Sequence, residues 1–292
     1  MNSLKKMIVI MGMGSVALFS LCSAGRAEGL KFEFKFTGGI NYQFLGDGDA
    51  VLRAKEASAD YFINSGGGGY TLEQGITPLV AHFGFEFDAD AILYLSPQFG
   101  ISLGTGYVRG GTLFGSGNEI IKSSLGTMTD SNDVAASAVP IKIGIYYKFT
   151  GSSYLFGGIG LYSANSTRSE NYTYGTDYSS YSETSSAHGI GFFAGWGGDS
   201  PISSGLALIY EISVRYANIG GFTGTWHYSE NGLTSSGSGK LYYYELLDST
   251  DHWYPWTSIE ASAPGGSTIR KAREATVDFS GVSFKIGFKI NI

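Results

Sequence analysis

A period-two alternation of apolar and polar residues, repeated along most of the chain, restricts this sequence more than any other feature. It is cleanest near the start. Phe32, Phe34, Phe36, Ile40, Tyr42 and Phe44 fall on one parity, and Lys31, Glu33, Lys35, Thr37, Asn41 and Gln43 on the other. Successive side chains of a strand point to opposite faces, so such a segment is apolar on one side and charged on the other. The pattern returns at 79–93, where Leu79, Ala81, Phe83, Phe85, Phe87, Ala89, Ala91 and Leu93 oppose His82, Glu86, Asp88 and Asp90. It returns again at 99–107, 139–149, 190–196, 206–216 and 282–292. In 154–163, glycines on both parities leave the facing ambiguous.

The connections between these segments alternate in length. Short turns rich in Pro, Gly, Ser or Asp fall at 96–97, 150–153 and 199–204, and long stretches fall at 46–75, 112–134, 165–187 and 223–275. No apolar run after residue 27 reaches the ~18 residues a spanning helix needs. The reading is an all-β fold: one antiparallel up-and-down transmembrane β-barrel of about eight strands, with short periplasmic turns and long extracellular loops. A soluble sandwich or lipocalin-like barrel is the rival, with its apolar face turned inward. The aromatics along the apolar faces and the glycines opposite them favour the inverted arrangement. Charged residues are only 15% while mean hydropathy is +0.02, which suits a sheet with one apolar and one polar face.

Residues 1–27 read as a cleaved signal peptide, leaving 28–292 as the barrel domain. Lys5 and Lys6 precede an uncharged apolar stretch, and Ala24, Gly25 and Ala27 offer a small-residue cleavage site. Cleavage removes Cys22, the sole cysteine, and with it any disulfide or Cys-ligated metal. It leaves 16 basic against 25 acidic residues, a net charge of −9. That balance, without a basic run, gives no footprint for nucleic acid.

The chain resembles the small outer-membrane β-barrel family of the OmpA/OmpX/OmpW/opacity-protein type, over about residues 28–292. Besides the architecture, three local cues carry the resemblance. Lys285, Gly287, Ile290 and Ile292 fall in the register of the family's C-terminal insertion signal, polar–x–Gly–x–x–aromatic–x–aromatic, with Ile at both aromatic positions. The others are Glu211-x-x-x-Arg215-Tyr216 and the turn Ser96-Pro97-Gln98-Phe99-Gly100. The resemblance implies residence in the bacterial outer membrane, with outer-membrane lipid and the barrel assembly machinery as partners.

Candidate functional residues follow from the facing. Lys31, Glu33, Lys35, Glu86, Asp88, Asp90, Lys142, Lys148, Glu211, Arg215, Lys285 and Lys289 share the polar face and are expected inside the barrel. An eight-stranded barrel has an interior just wide enough for side chains to fill, so mixed signs there should pair across neighbouring strands into a closed polar plug. A narrow ion pathway is the alternative. His82, His188, His227 and His252 show no metal-ligand spacing, and no cofactor is expected. His227-Tyr228-Ser229 resembles the His-x-Ser pair of lipid A deacylase barrels, without an assignable acid. Tyr174, Tyr178, Tyr181, Trp226, Tyr243, Trp253 and Trp256 lie in the long connections among Ser and Gly, a composition suited to an extracellular protein or glycan. Two classes stay open: a structural or adhesin-like surface barrel, and a narrow porin or OmpW-like transporter. A lipid-modifying enzyme is a remote third.

Overall fold

The computed structural model describes residues 31–65, 71–77, 81–111, 117–123, 126–149, 152–247 and 252–292. The expected signal peptide and Leu79 lie outside these residues. In chain order the elements are β1 (Lys31–Gln43), α1 (Asp47–Ser65), β2 (Thr71–Gln74), β3 (Phe83–Tyr94), β4 (Phe99–Gly111), β5 (Asn118–Ser123) and β6 (Gly126–Lys148). There follow β7 (Ser153–Tyr174), β8 (Asp177–Ser203), β9 (Leu206–Tyr216), β10 (Asn218–Ile219), β11 (Thr223–Glu230) and β12 (Leu233–Leu247). The last are β13 (Trp253–Glu260), β14 (Ile269–Glu274), β15 (Val277–Asp278) and β16 (Gly281–Asn291).

Eight of these strands pair in a closed antiparallel ring, β1–β3–β4–β6–β7–β8–β9–β16 and back to β1. Closure leaves no sheet edge in the ring, the condition for a strand-built structure to sit in lipid. The ring is staggered. From Phe36, direct partners lead through Ala89, Thr105, Ile141 and Leu161 to Ile190 on β8. In the other direction they lead through Phe288 and Leu208 to Ser200 on the same strand, ten residues away. Such a stagger is the shear that tilts strands in a closed barrel.

The eight strands expected from the sequence form the ring, but the described chain has eight more. The stretches read as long loops are largely strand. β7 and β8 run on for 22 and 27 residues and meet at a turn around Gly175, whose φ of 60° suits glycine. Beyond the ring, β11, β12 and β13 add to the upper part of β8, β14 adds to β12, and β5 and β2 add to the upper part of β6. This upper sheet and helix α1 form a head on the rim opposite the short turns. The second segment also starts later than read. β3 begins at Phe83, and Ala81 and His82 are buried in a turn. His82 is drawn inward because its Nδ1 bonds the Gln43 carbonyl at 2.8 Å and its Nε2 lies 2.9 Å from Asp49 on α1.

The ring is inside-out relative to a soluble protein. Its outward parity carries Phe36, Ile40, Phe87, Leu103, Ile141, Ile143, Ile159, Leu161, Phe192, Leu208, Ile212, Phe284 and Ile286, all exposed, with Ile143 at 66% and Ile286 at 70%. Its inward parity buries Glu33, Lys35, Glu86, Asp88, Asp90, Lys142, Glu211, Lys285 and Lys289. Monomeric soluble proteins rarely expose an apolar surface this continuous, and charges are seldom buried unless paired. The ambiguous segment resolves the same way on β7, with Tyr154, Phe156 and Tyr162 buried inside and Leu155, Ile159 and Leu161 exposed.

Candidate functional site

The barrel interior is filled in three layers. At the short-turn end lies an aromatic floor of Tyr94, Tyr146, Tyr154 and Phe156 packed with Ile92, with the Tyr146 and Phe156 rings stacked at 5.4 Å. At its rim Lys148 lies 2.6 Å from Glu33 and over the Tyr94 ring, and Lys289 bridges Glu33 and Asp199. Lys31 is exposed at this rim, outside the interior set where the alternation had put it, because the first residue of β1 stands at the end of the wall.

The middle layer is charged and neutral overall. Lys35 sits between Glu211 at 2.7 Å and Asp90 at 3.0 Å. Lys142 reaches Asp88 at 2.6 Å and Asp90 at 3.4 Å. Lys285 reaches Asp88 at 2.6 Å, Glu86 at 3.4 Å and Glu211 at 3.8 Å. Arg215 donates to Glu86 at 2.6 Å and to the Phe279 carbonyl at 2.7 Å. Four cations thus meet four carboxylates in one connected set. Hydroxyls complete it: Tyr154 donates to Glu211 at 2.9 Å, Ser283 donates to Glu86 at 2.6 Å, and Lys35 donates to Tyr146. These links span the lumen and are not confined to adjacent strands. Arg215 on β9, for instance, reaches Glu86 on β3 past β16 and β1. Glycines on β4 make the room. A Cβ on Gly104 would collide with an Asp90 carboxylate oxygen, and one on Gly106 with an Asp88 oxygen. A cavity of about 20 Å³ lies among these side chains, room for roughly one water.

The third layer closes the opposite mouth with apolar packing. Val108, Ala136, Ala138, Ala164, Ala187 and Ala217 from the walls meet Ile219, Phe222, Val277 and Phe279 from the short β10–β15 pair and its flanks. Leu45 and Leu52 close over them from the α1 side. Helix α1 is pinned there by its acidic first turn. Asp47 accepts from both Arg273 terminal nitrogens at 2.7 and 2.6 Å and from the Thr276 amide at 2.8 Å.

The head has a charged core of its own. Arg168 donates to Glu170 at 2.8 Å and to the Thr257 carbonyl at 2.9 Å, and its guanidinium lies 4.1 Å from the Trp256 ring. Lys55 from α1 reaches Glu170 at 2.5 Å and Asp130 at 3.4 Å. Tyr181 donates to Glu183 at 2.8 Å. Burial pushes the Glu183 carboxyl above its ordinary range against the pull of Arg168, and it pushes Asp130 up against Lys55. Burial acts on Glu170 too, but Lys55 and Arg168 outweigh it and hold that carboxyl low. Raised acids favour the folded head below the ordinary carboxylate range, and that gain is lost as pH rises through their folded values; Glu170 contributes the reverse. The head is therefore expected to resist proteolysis better at mildly acidic than at neutral pH, as the raised carboxyls of Glu183 and Asp130 direct. Glu183→Gln should shrink that difference, and cleavage rates at the two pH values measure it. An unchanged difference in the variant would remove Glu183 from the account.

Most of the aromatics expected to face a partner are turned inward. Trp226 and Tyr243 pack against the cap, Trp256 stacks on Arg168, and Arg270 lies over Trp253 and Arg273 over Tyr243. Tyr181 and Tyr174 are half-buried on the inner parity. Tyr178 is the exposed one. What the head presents outward on β7, β8, β11 and β12 is mainly hydroxyl and amide, with the His227 imidazole and Lys240 among them. His227 and Ser229 both lie on this face, in a shallow groove with Ser180, Ser182, Thr234 and Ser236. Nearer the apolar belt, Ser163 Oγ is 3.2 Å from His188 Nδ1, with Leu161, Ile190, Asn165 and Ser186 in the adjacent rows, so no carboxylate there orients the imidazole. In the last strand, Lys285 is buried and Ile290 and Ile292 are exposed outward.

A closed ring with its charges inside and its apolar side chains outside decides the fold type. This is a transmembrane β-barrel of the outer-membrane kind. No family model and no curated protein sequence matches the chain. Among solved structures it is similar to a major outer membrane protein from Thermus thermophilus, at 14% identity and a TM-score of 0.36, over 91% of this chain and 100% of that one. It is also similar to the outer membrane protein OprG from Pseudomonas aeruginosa, at 11% identity and a TM-score of 0.35, over 90% of this chain and 95% of that one.

Proposed function

We propose that the protein resides in the bacterial outer membrane as a closed anchor whose head, outside the cell, is the working part in surface structure or recognition. The observation that carries this reading is the filled interior: an aromatic floor, a neutral ion-paired layer and an apolar cap, stacked along the barrel axis. A pore selective for one ion type is more naturally lined by one sign of charge, and a conduit for apolar solutes needs an apolar lumen. The short turns at 95–98 and 204–205 face the periplasm in this reading, and the head, ordered by its own ion pairs, faces outward.

Cell fractionation and surface proteolysis test it together. The mature protein should pellet with outer membranes, need detergent for extraction and shift on unboiled gels. Protease added to intact cells should cut the exposed connection between β13 and β14, near Ser262. Recovery in the soluble periplasm would overturn the location, and cleavage confined to the turn near Pro97 would overturn the orientation.

A further inference from the structure

The head segregates its side chains in an unusual sense. On β7, β8, β11 and β12 the charged and aromatic residues Arg168, Glu170, Tyr181, Glu183 and Trp226 take the inner parity. The outer parity forms a grid in which direct cross-strand partners line up. One row is Asn165, Ser186, Thr223 and Lys240; the next is Thr167, Thr184, Thr225 and Ser238. Then come Ser169, Ser182, His227 and Ser236, and finally Asn171, Ser180, Ser229 and Thr234. Lys240 is the only formal charge among these sixteen positions, and it is paired with Glu274 at 2.5 Å. A water-facing sheet would ordinarily carry Lys, Arg, Glu and Asp of both signs.

The face is continuous with the apolar belt. Along β7 the outward residues pass from Leu155, Ile159 and Leu161 directly to Ser163, Asn165, Thr167 and Ser169, and along β8 from Phe192 and Ile190 to His188, Ser186 and Thr184. The same wall that meets acyl chains therefore rises through the head-group zone and presents hydroxyls and amides there. Such groups donate and accept hydrogen bonds without charge, so they suit sugar hydroxyls and do not repel anionic head groups as carboxylates would. Strand spacing and rise make the grid roughly 500 Å². That is below the ~800 Å² per partner of a standard protein interface, and the grid lacks the Trp, Tyr and Arg anchors that carry such interfaces.

We infer that this face docks the carbohydrate head groups of the glycolipid leaflet in which the barrel stands. The inference rests on the outward placement of the head and names the partner of its exposed wall. Thr167→Cys places a thiol mid-grid, and Ser262→Cys, in the exposed β13–β14 connection, is the control. The full mature protein is reconstituted in nanodiscs of phospholipid with either intact lipopolysaccharide or lipid A alone. Its reaction with a water-soluble maleimide is then timed, with unboiled gels confirming a folded barrel.

Intact lipopolysaccharide should slow Thr167→Cys about tenfold relative to lipid A, and Ser262→Cys less than twofold. Adding Thr184→Glu and Thr225→Glu should restore most of the Thr167→Cys rate. Equal rates in the two discs, equal slowing at both sites, or no effect of the carboxylates would each overturn the inference. An inverted or periplasmic protein fails in the cell experiment above, whereas these discs read the face in either case.

Discussion

Lys35→Met should cripple assembly of the barrel. Lys35 is 2% exposed and holds Glu211 at 2.7 Å and Asp90 at 3.0 Å while donating to Tyr146. Methionine fills a similar volume, so packing is not the main loss. What remains is a pair of buried carboxylates without their shared counter-ion. Removing one partner of a buried ion pair costs about 3–5 kcal/mol, a large share of the ~5–15 kcal/mol that holds a folded domain together. Urea unfolding of protein refolded in detergent, followed by the heat-sensitive gel shift, should show a loss of that order. The double variant Lys35→Met, Glu211→Leu should recover a good part of it, because Asp90 keeps Lys142 at 3.4 Å. A single variant as stable as the parent would mean the ion-paired layer contributes nothing.

The second large effect lies on the other face of the wall. Ile286 is 70% exposed near the middle of β16, so a change there alters contact with solvent or lipid and little else. Ile286→Lys should cost about 2–4 kcal/mol if that position lies at the bilayer midplane. Lys31→Gln, at the exposed rim, should stay within about 0.5 kcal/mol. Folding yield into lipid vesicles compares the two. Equal yields would mean that the exposed apolar belt does not meet lipid.

The ring was legible because its walls alternate in hydropathy, and parity alone separates Phe34 and Phe36 from Glu33 and Lys35. The head was not, although its strands alternate too. Ser163, Asn165 and Thr167 alternate with Ala164, Ser166 and Arg168, a polar-on-polar pattern with little hydropathy contrast, and the Ser and Gly content reads as loop. The aromatic floor was hidden for a related reason. Gly157, Gly158 and Gly160 blur the parity of β7, so Tyr154 and Phe156 could not be placed inside. Asp199 was missed as the partner of Lys289 because the sequence reads as a turn over 199–204, whereas the residue lies within β8, paired with Ile209. The partners of the lumen charges depend on stagger, which joins Arg215 to Glu86 across two intervening strands, and no local spacing encodes that. The inward packing of Trp226 and Trp256 depends on the head curling over the mouth, a long-range property of the sheet.

Single-channel recording of the purified protein in planar bilayers tests whether the barrel is a closed anchor. The neutral ion-paired layer lies between an aromatic floor and an apolar cap and surrounds a cavity of about 20 Å³, which is the ground for expecting no continuous water column across it. The expected record is a flat baseline with at most rare, brief events, at neutral pH and at either sign of voltage. Stable, frequent openings of the unmodified protein would contradict the account and make transport the function of the barrel.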